Sequence, residues 1–322
     1  MSNLPVVPHW INGQEVSGKP DHVVLVTDPA LGIATKQVNV AGDAEIEAAF
    51  ASAQAAFPKW RDMSQARKQA ILFKFRELLN ERKHECAALI TEEHGKVLDD
   101  ALGEVTRGQE VVEFACGMPH LLKGMFTENA STGVDVYSTR QALGVVGIIA
   151  PFNFPAMVPM WFYPIAIAAG NTVVIKPSEK VPSATLWMAK LWKEAGLPDG
   201  VFNVVNGNRK TVQSMLEDER VKAISFVGST PVAKYIYEEG SKHGKRVQAL
   251  GGAKNHALIL PDADLDLVAD SMINAGFGSA GERCMAISVA VAVEPVADEL
   301  IAKIVERMGK LRTGDGRRGC DM

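Results

Sequence analysis

The chain has 322 residues, 47% of them hydrophobic and 22% charged, with a formal net charge of −4 at pH 7. This composition excludes disordered, fibrous and disulfide-stapled proteins and indicates an ordinary globular chain that can bury a core. The slight negative charge and the lack of long basic runs exclude a polybasic surface for nucleic acid. Since domains average roughly 150 residues, the length predicts two domains or slightly more.

The cysteines and the N-terminus bear on metal sites and on location. Cys86, Cys116, Cys284 and Cys320 lack the CxxC spacing of zinc sites, so we expect no metal, no disulfide framework and a reducing compartment. The first nine residues show neither the charged and apolar regions of a secretory signal nor the arginines of a transit peptide. We therefore expect a cytoplasmic protein.

The N-terminal part is predicted to contain short strands and turns followed by three helices. Asp43 is predicted to cap a first helix over 45–57, and apolar residues at i, i+3 and i+4 predict a second helix over 64–96. A third helix is predicted from about Leu98 through Ala115. Residues 126–140 then indicate an extended, hairpin-like insertion.

An uncharged stretch runs from Gln141 to Ile175 and is long enough to be mistaken for a membrane span. Prolines interrupt it, and a proline removes a helix hydrogen bond and clashes with the preceding turn. They are Pro151, Pro155, Pro159 and Pro164. The pattern predicts a strand, a loop, a short buried helix and a second strand, with no membrane partner.

From Val145 onward, apolar strands alternate with amphipathic helices and short loops, which is typical of a parallel sheet covered by helices. The predicted strands are 144–150, 172–176, 201–205, 221–228 and 246–252, and the predicted helices are 184–196, 209–218 and 231–240. The texture changes after Gly252, and a further strand and helix follow. We predict a domain boundary there.

Two loops at strand ends are candidates for a nucleotide site. Gly228-Ser229-Thr230 follows a strand and precedes Pro231 at a helix start, where free amides and the helix dipole favour an anion such as a pyrophosphate. An ordinary capped helix is an equal alternative. Lys176 to Glu179 ends another strand, and a carboxylate there would bind a ribose and disfavour a 2′-phosphate, which favours NAD over NADP. Lys176 and Lys180 weaken that preference, and a solvated loop is the alternative.

Two further residues are candidates for the reaction itself. Cys284, in GSAGERCMA, has Arg283 beside it, and a cation with nearby amides favours a thiolate nucleophile. A buried, unreactive cysteine is the alternative. Asn153, in APFNFP, lies in a rigid loop between aromatic residues and prolines, where its amide could donate to an oxyanion.

Taken in order, the motifs APFNFP, IKPSE, FVGST, LGGAKNH and AGERC resemble the aldehyde dehydrogenase superfamily from about Trp10 to the last residue. PFNFP, LGGAKNH and FGSAGERCMA together are similar to the CoA-acylating branch that acts on methylmalonate semialdehyde. The resemblance implies an α/β fold with a Rossmann-like parallel-sheet NAD domain and a partial α/β catalytic domain. The implied segments are 1–125 (N-terminal strands and helices), 126–143 (oligomerisation arm), 144–251 (Rossmann-like NAD-binding part) and 252–322 (incomplete catalytic domain).

The resemblance also implies roles for individual residues. Cys284 is the implied nucleophile, and Asn153 with the Cys284 amide forms the implied oxyanion hole. Arg107 and Arg283 are expected to bind the substrate carboxylate, with a surface ion pair or a structural role as the alternative. The implied NAD-binding residues are Ala150, Phe152, Lys176, Glu179, Lys180, Gly228, Ser229 and Gly251.

Two departures from the family pattern shape the expected reaction. Ala249 stands where hydrolytic relatives carry the glutamate that activates water, which favours CoA as the acyl acceptor. Family members also continue past Met322, so the chain is expected to be a fragment of a homo-oligomer, a tetramer or dimer. The implied reaction oxidises methylmalonate or malonate semialdehyde, with decarboxylation, to propanoyl-CoA or acetyl-CoA in valine or inositol degradation. A hydrolytic aldehyde dehydrogenase and an inactive NAD-binding fragment are the alternatives.

Overall fold

The structure is a computed structural model that describes residues 4–19 and 22–322, so residues 1–3 and 20–21 of the predicted N-terminal segment lie outside the described residues. The helices are α1 (Asp43–Asp62), α2 (Gln65–His94), α3 (Leu98–Cys116), α4 (Met118–Leu121), α5 (Met157–Ala168), α6 (Ser183–Glu194), α7 (Arg209–Glu217), α8 (Thr230–Lys242), α9 (Leu265–Phe277) and α10 (Ala297–Met308). The strands are β1 (Val6–Val7), β2 (His9–Ile11), β3 (Gln14–Val16), β4 (Val23–Asp28), β5 (Ile33–Asn39), β6 (Phe126–Ser131), β7 (Val134–Tyr137), β8 (Val145–Ile149), β9 (Thr172–Lys176), β10 (Phe202–Val204), β11 (Val221–Val227), β12 (Arg246–Leu250), β13 (Asn255–Ile259) and β14 (Ile287–Ala292).

The largest sheet has seven strands in the order β12-β11-β8-β9-β10-β2-β3. Its first five strands run parallel, and β2 and β3 extend it antiparallel. Parallel neighbours need crossover connections, and α5, α6, α7 and α8 supply them. The predicted α/β fold with a parallel sheet is confirmed.

The central strands of this sheet are buried on both faces. Val146 and Ile148 of β8 belong to an apolar cluster with α2, α3, α5 and α6, whereas Val145 and Ile149 belong to a second cluster with α1, α7 and α8. Successive side chains of a strand point to opposite faces, so a strand covered on both sides needs a nearly continuous apolar run. The sequence GVVGIIA meets that requirement and fixes β8 at the centre.

The predicted limits of α1 are wrong at both ends. Gly42, not Asp43, is the N-cap residue, and Glu45 Oε2 accepts a hydrogen bond from the Gly42 amide at 2.9 Å. The helix also continues through Pro58 to Asp62. Pro58 and Gln54 are both exposed, so water can reach the Gln54 carbonyl that the proline leaves without a donor.

The uncharged stretch 141–175 folds as predicted, as β8, a loop, the buried helix α5 and β9. Pro164 was predicted to interrupt a helix, but it lies inside α5. Within residues 4–19 and 22–322, no helix has the length and apolar character needed to cross a membrane.

Two smaller units lie outside the main sheet. β6 and β7 form an antiparallel hairpin whose residues are all exposed, which confirms the predicted hairpin. After Gly252, β13 and β14 pair in parallel and pack with α9 and α10 around their own small cluster, Ile259, Ala269, Val296 and Leu300. The four segment limits and their roles stay predictions.

Candidate active site

A cleft of about 860 Å³ opens along the carboxyl ends of β8, β9 and β11. The chain passes from β8 to β9 on one side and returns to β11 on the other side of β8. The cleft therefore lies at a topological switch point, where open α/β sheets bind their ligands. Every predicted site residue except Lys180 and Arg107 lines it: Ala150, Phe152, Asn153, Lys176, Glu179, Gly228, Ser229, Gly251, Arg283 and Cys284.

The β9 end of the cleft presents a carboxylate held by a lysine. Lys176 Nζ lies 3.2 Å from Glu179 Oε2. Burial alone would raise the pKa of Glu179, but the charges of Lys176 and Lys180 outweigh burial and lower that pKa. Lys180 itself is exposed, with its ammonium 5.1 Å from the centroid of the Phe152 ring. The Glu179 side chain is therefore an ionised acceptor at the cleft wall.

The β11 end is shaped by two glycines and a helix N-terminus. A Cβ on Gly228 would lie 2.4 Å from the Phe226 ring, and a Cβ on Gly251 would lie 3.0 Å from Thr230 Oγ1. Ser229 is the N-cap of α8, and its side chain makes no capping hydrogen bond. Packing against Phe226 and Thr230 therefore leaves no room for a larger side chain at these two positions, and the Ser229 hydroxyl lies beside them at the positive end of a helix.

Cys284 is half-buried in the loop that leads into β14. Asn255 Nδ2 donates to the carbonyl oxygens of Cys284 at 2.9 Å and Ala286 at 3.1 Å, which fixes the loop from the β13 side. The thiols of Cys86 and Cys116 are buried, and burial raises the pKa of both, that of Cys116 to about 11. Those two thiols are poor nucleophiles, whereas Cys284 lies in the cleft.

Asn153 links the two walls of the cleft. Its Nδ2 donates a hydrogen bond to the carbonyl oxygen of Glu282 at 2.7 Å, two residues before Cys284. Its own backbone carbonyl accepts from Lys96 Nζ, also at 2.7 Å. An amide nitrogen carries two hydrogens, so one N–H of Asn153 is left for a ligand.

The two predicted substrate arginines differ in their surroundings. Arg283 lines the cleft, but its Nη2 forms an ion pair with Asp100 Oδ1 at 2.6 Å, so the charges of the two side chains cancel. Arg107 is exposed on α3 and does not contribute to the cleft lining. A role of either arginine in substrate binding stays a prediction.

A buried network behind Asn153 was missed by the sequence argument. Lys96 and Glu104 form an ion pair at 2.7 Å with both side chains fully buried. Burial lowers the pKa of Lys96, although the charge of Glu104 opposes that shift. Glu104 Oε1 also accepts the amides of Ala156 at 2.8 Å and Met157 at 3.1 Å at the start of α5.

His94 and Asp100 were also missed. His94 Nε2 lies 2.9 Å from Glu282 Oε2, and its ring stacks on Phe152 with centroids 6.2 Å apart. The signal available was the spacing of four residues between Asp100 and Glu104, which places them on one face of α3, with Lys96 two residues before the helix begins. Such a charged face is normally solvated, so the spacing alone did not indicate a buried network.

The remaining predictions concern a metal site and the position of Ala249. In the part of the chain that the structure describes, no group of three or more His, Cys, Asp or Glu side chains is arranged to hold a metal ion. Ala249 lies on β12, half-buried and packed against the second apolar cluster. No carboxylate therefore stands at that position.

The sequence matches the aldehyde dehydrogenase family over residues 16–322. A malonate-semialdehyde dehydrogenase from Pseudomonas aeruginosa is 52% identical over 316 residues, which are 98% of this chain and 63% of that protein. The chain thus spans less than two thirds of the length of this relative.

Two solved structures share the fold. The methylmalonate-semialdehyde dehydrogenase from Oceanimonas doudoroffii aligns with a TM-score of 0.95 at 51% identity, over 97% of this chain and 64% of that chain. A structure from Sinorhizobium meliloti, described as a methylmalonate-semialdehyde dehydrogenase complexed with NAD, aligns with a TM-score of 0.96 at 48% identity, over 98% of this chain and 65% of that chain. The resemblance carried by the motifs is confirmed, and the chain belongs to the aldehyde dehydrogenase family.

Proposed function

We propose that this chain oxidises a carboxylate-bearing semialdehyde with NAD and passes the acyl group to CoA. The observation that carries the proposal is one cleft, at the switch point of the sheet, lined by Cys284, Asn153, Glu179 and Ser229. A thiol and an amide donor thus line the same cleft as the residues suited to a nucleotide. The names of the similar proteins support malonate or methylmalonate semialdehyde as the substrate.

The cleft fits NAD on three counts. The ionised Glu179 accepts hydrogen bonds from the ribose and repels a 2′-phosphate. Gly228 and Gly251 line the cleft without side chains, and the α8 N-terminus beside them favours a pyrophosphate. Val212 and Val232 add apolar surface to the lining. When bound, NAD accepts the hydride that leaves the oxidised carbon.

Cys284 and Asn153 carry the acylation. The Cys284 thiolate attacks the aldehyde carbon and forms a thiohemiacetal. The second N–H of Asn153 and the Cys284 amide donate to the oxygen that becomes negative. Because Asn153 is already held by the Glu282 and Lys96 contacts, its amide is oriented before the substrate arrives. Loss of hydride then leaves a thioester on Cys284.

Transfer to CoA follows from Ala249. No side chain at that position can activate water, so the thioester waits for a stronger nucleophile. A thiol is partly ionised near neutral pH and exchanges with the Cys284 thioester without a general base. With loss of the substrate carboxylate as CO₂, malonate semialdehyde yields acetyl-CoA and methylmalonate semialdehyde yields propanoyl-CoA.

The test is to mix the chain with NAD and malonate semialdehyde and to measure NADH together with the mass of the Cys284 peptide. We expect about one NADH per chain, an acyl adduct on Cys284, and sustained turnover to acetyl-CoA only after CoA is added. Cys284→Ser should abolish both signals, and the matched control Cys320→Ser should keep them. Steady NADH formation without CoA, with free acid as product, would support the hydrolytic alternative instead. NAD binding without NADH or adduct would identify a nucleotide-binding fragment.

Cofactor choice is tested separately by titrating NAD and NADP against the protein fluorescence. We expect NAD to bind about tenfold more tightly, since a carboxylate at the ribose repels a phosphate. Glu179→Gln should reduce that ratio, while Glu128→Gln on the exposed β6 should not. Equal affinities in the unchanged chain would remove Glu179 from the ribose site.

We further propose that the hairpin β6–β7 joins two copies of this chain. Its exposed apolar residues support this: Phe126 is 65% exposed, Val136 51% and Tyr137 76%. Exposed apolar strands with free edges are commonly buried by association. Light scattering after size exclusion should give an oligomer whose mass falls with Val136→Lys. A monomeric chain at micromolar concentration would contradict this.

A further inference from the structure

Asp100, in the first turn of α3, contacts the loop before Cys284 with both of its carboxylate oxygens. Its Oδ1 accepts a hydrogen bond from Arg283 Nη2 at 2.6 Å, and its Oδ2 accepts from the backbone amide of Ser279 at 2.8 Å. The side chains of Asp100 and Arg283 are only 24% and 23% exposed. The Asp100 side chain thus binds both ends of the segment 279–283.

That segment has a backbone that needs external support. Ser279 and Ala280 have φ of 54° and 55°, and Gly281 follows with φ of 75°. The left-handed region is strained for a non-glycine residue, so such a residue persists there only where surrounding contacts impose it. The Asp100 contact with the Ser279 amide acts on the first of these residues. Loss of that contact frees the segment to relax.

The neighbouring glycine makes the second contact possible. A Cβ on Gly278 would lie 2.5 Å from the Cζ atom of Arg283, so the guanidinium lies directly against the Gly278 backbone. Arg283 is therefore held between Asp100 and Gly278. Arg283 Nη1 also lies 3.4 Å from two oxygens of Asn274, so these contacts together hold the residue that adjoins Cys284.

The same helix holds the opposite wall of the cleft. Glu104, one turn after Asp100, accepts the amides that begin α5 and the ammonium of Lys96. Lys96 in turn donates to the backbone carbonyl of Asn153. α3 is therefore tied to the Asn153 loop through Glu104 and to the Cys284 loop through Asp100.

We propose that Asp100 is a positioning residue for Cys284. It holds the loop before Cys284 in a fixed position relative to α3, the helix that also holds the Asn153 loop. The proposal rests on the proposed function for the roles of Cys284 and Asn153. It also gives the ion pair between Arg283 Nη2 and Asp100 Oδ1 a role, because that pair ties the residue beside Cys284 to α3. Misplacement of a reacting group by about 1 Å costs up to 10²-fold in rate, so the position of Cys284 relative to Asn153 matters.

The first arm of the test does not depend on catalysis. Hydrogen exchange is followed in the peptide 277–287 for the unchanged chain, for Asp100→Ala and for the matched control Asp99→Ala. Asp99 is exposed in the same turn of α3, so both variants remove one charge from the helix start. We expect at least tenfold faster exchange in Asp100→Ala alone. Equal exchange in the two variants would overturn the proposal.

The second arm measures acylation of Cys284 with NAD and malonate semialdehyde. Asp100→Ala should lower the acylation rate constant by 10- to 100-fold and leave the Kd for NAD within twofold, whereas Asp99→Ala should change neither. Asp100→Asn keeps an acceptor for the Ser279 amide and should restore most of the exchange protection and part of the rate. Faster exchange with an unchanged acylation rate would reduce Asp100 to a merely structural contact.

The two arms separate this proposal from the proposed function. Absence of acylation in the unchanged chain would contradict the proposed function. The position of Cys284 would then be judged by exchange and by its rate of alkylation with iodoacetamide relative to Cys320. A several-fold change of that ratio in Asp100→Ala, and none in Asp99→Ala, supports the positioning role. An unchanged ratio overturns it.

Discussion

The two walls of the cleft are held in different ways. On one side, Asn153 precedes Phe154 and Ala156, which are almost completely buried, and a fully buried ion pair, Lys96 and Glu104, fixes its backbone. On the other side, Cys284 follows a left-handed segment, 279–281, in which Ala280 and Gly281 are exposed. The Asn153 loop is therefore anchored in the core, whereas the Cys284 loop is held by a few polar contacts. Under the proposed function, this division keeps the oxyanion donor rigid and the thiol adjustable.

The largest expected effect comes from breaking the rigid wall. Glu104→Gln leaves the Lys96 ammonium buried without its counter-ion, and breaking a buried pair in this way costs about 3–5 kcal/mol. Urea unfolding followed by circular dichroism measures the loss. Glu110→Gln, at an exposed position of the same helix, should change the free energy of unfolding by less than about 0.5 kcal/mol. A loss below 1 kcal/mol for Glu104→Gln would mean that the wall is not anchored there.

The contact between the walls is tested by two asparagines. Asn153 and Asn255 both donate to carbonyl oxygens of the nucleophile loop, but only Asn153 lines the cleft. Asn153→Ala should lower the acylation rate by about 10²–10³-fold, the loss expected for an oxyanion donor. Asn255→Ala removes loop contacts alone and should cost much less than that. Equal losses would assign Asn153 to loop anchoring only.

The sequence predicted one wall better than the other. The apolar run GVVGIIA and the alternation of strands and helices indicated the parallel sheet, and the prolines of APFNFP indicated the rigid loop that carries Asn153. These features depend on local propensity and on periodic burial, which a single sequence displays. The motif around Cys284 indicated the thiol through its resemblance to a family.

The contacts that hold the cleft together could not be predicted in the same way. Asp100, Glu104 and Lys96 lie about 50 to 180 residues from their partners in the loops, as in the bonds from Ala156 to Glu104 and from Ser279 to Asp100. Nothing local distinguishes a charge that turns inward from one that faces water. The prediction of Asp43 as the N-cap of α1 was wrong for a local reason. The Glu45 carboxylate accepts a hydrogen bond from the Gly42 amide, so Gly42 is the N-cap and Asp43 lies inside the helix.

His94, between the two walls, makes the free energy of unfolding depend on pH. It lies between the walls, with Glu282 at 2.9 Å and Phe152 against its ring, and burial, helped by the charge of Lys96, lowers its pKa from 6.5 to about 3. As the pH falls below about 6.5, His94 takes up a proton in the unfolded chain but stays neutral in the folded chain. Stability is therefore present above pH 6.5 and is lost as the pH falls from there toward 3.

The expected size is about 2 kcal/mol between pH 8 and pH 5, at roughly 1.4 kcal/mol per pH unit once the unfolded histidine is protonated. Urea unfolding at several pH values should show a shallower slope in His94→Gln than in the unchanged chain. Burial also lowers the pKa of His9, so part of the slope remains in the variant. The control His120→Gln, at an exposed histidine, should keep the full slope. Parallel slopes for His94→Gln and the control would show that His94 accepts a proton in the folded chain.

The smallest effect, but the most direct comparison of the walls, comes from one substitution made on each side. Ala156 has helical backbone angles and is fully buried, so Ala156→Gly loses a packed methyl group and adds backbone freedom to the unfolded chain, at a cost of about 1–2 kcal/mol. Ala280 has φ of 55° and is exposed, so glycine relieves left-handed strain and Ala280→Gly should be neutral or stabilising by up to about 1 kcal/mol. Thermal unfolding of both variants therefore should give shifts of opposite sign or one shift near zero. Two equal destabilisations would mean that the segment before Cys284 is held as firmly by packing as the Asn153 loop, and the division between a rigid and an adjustable wall would fail.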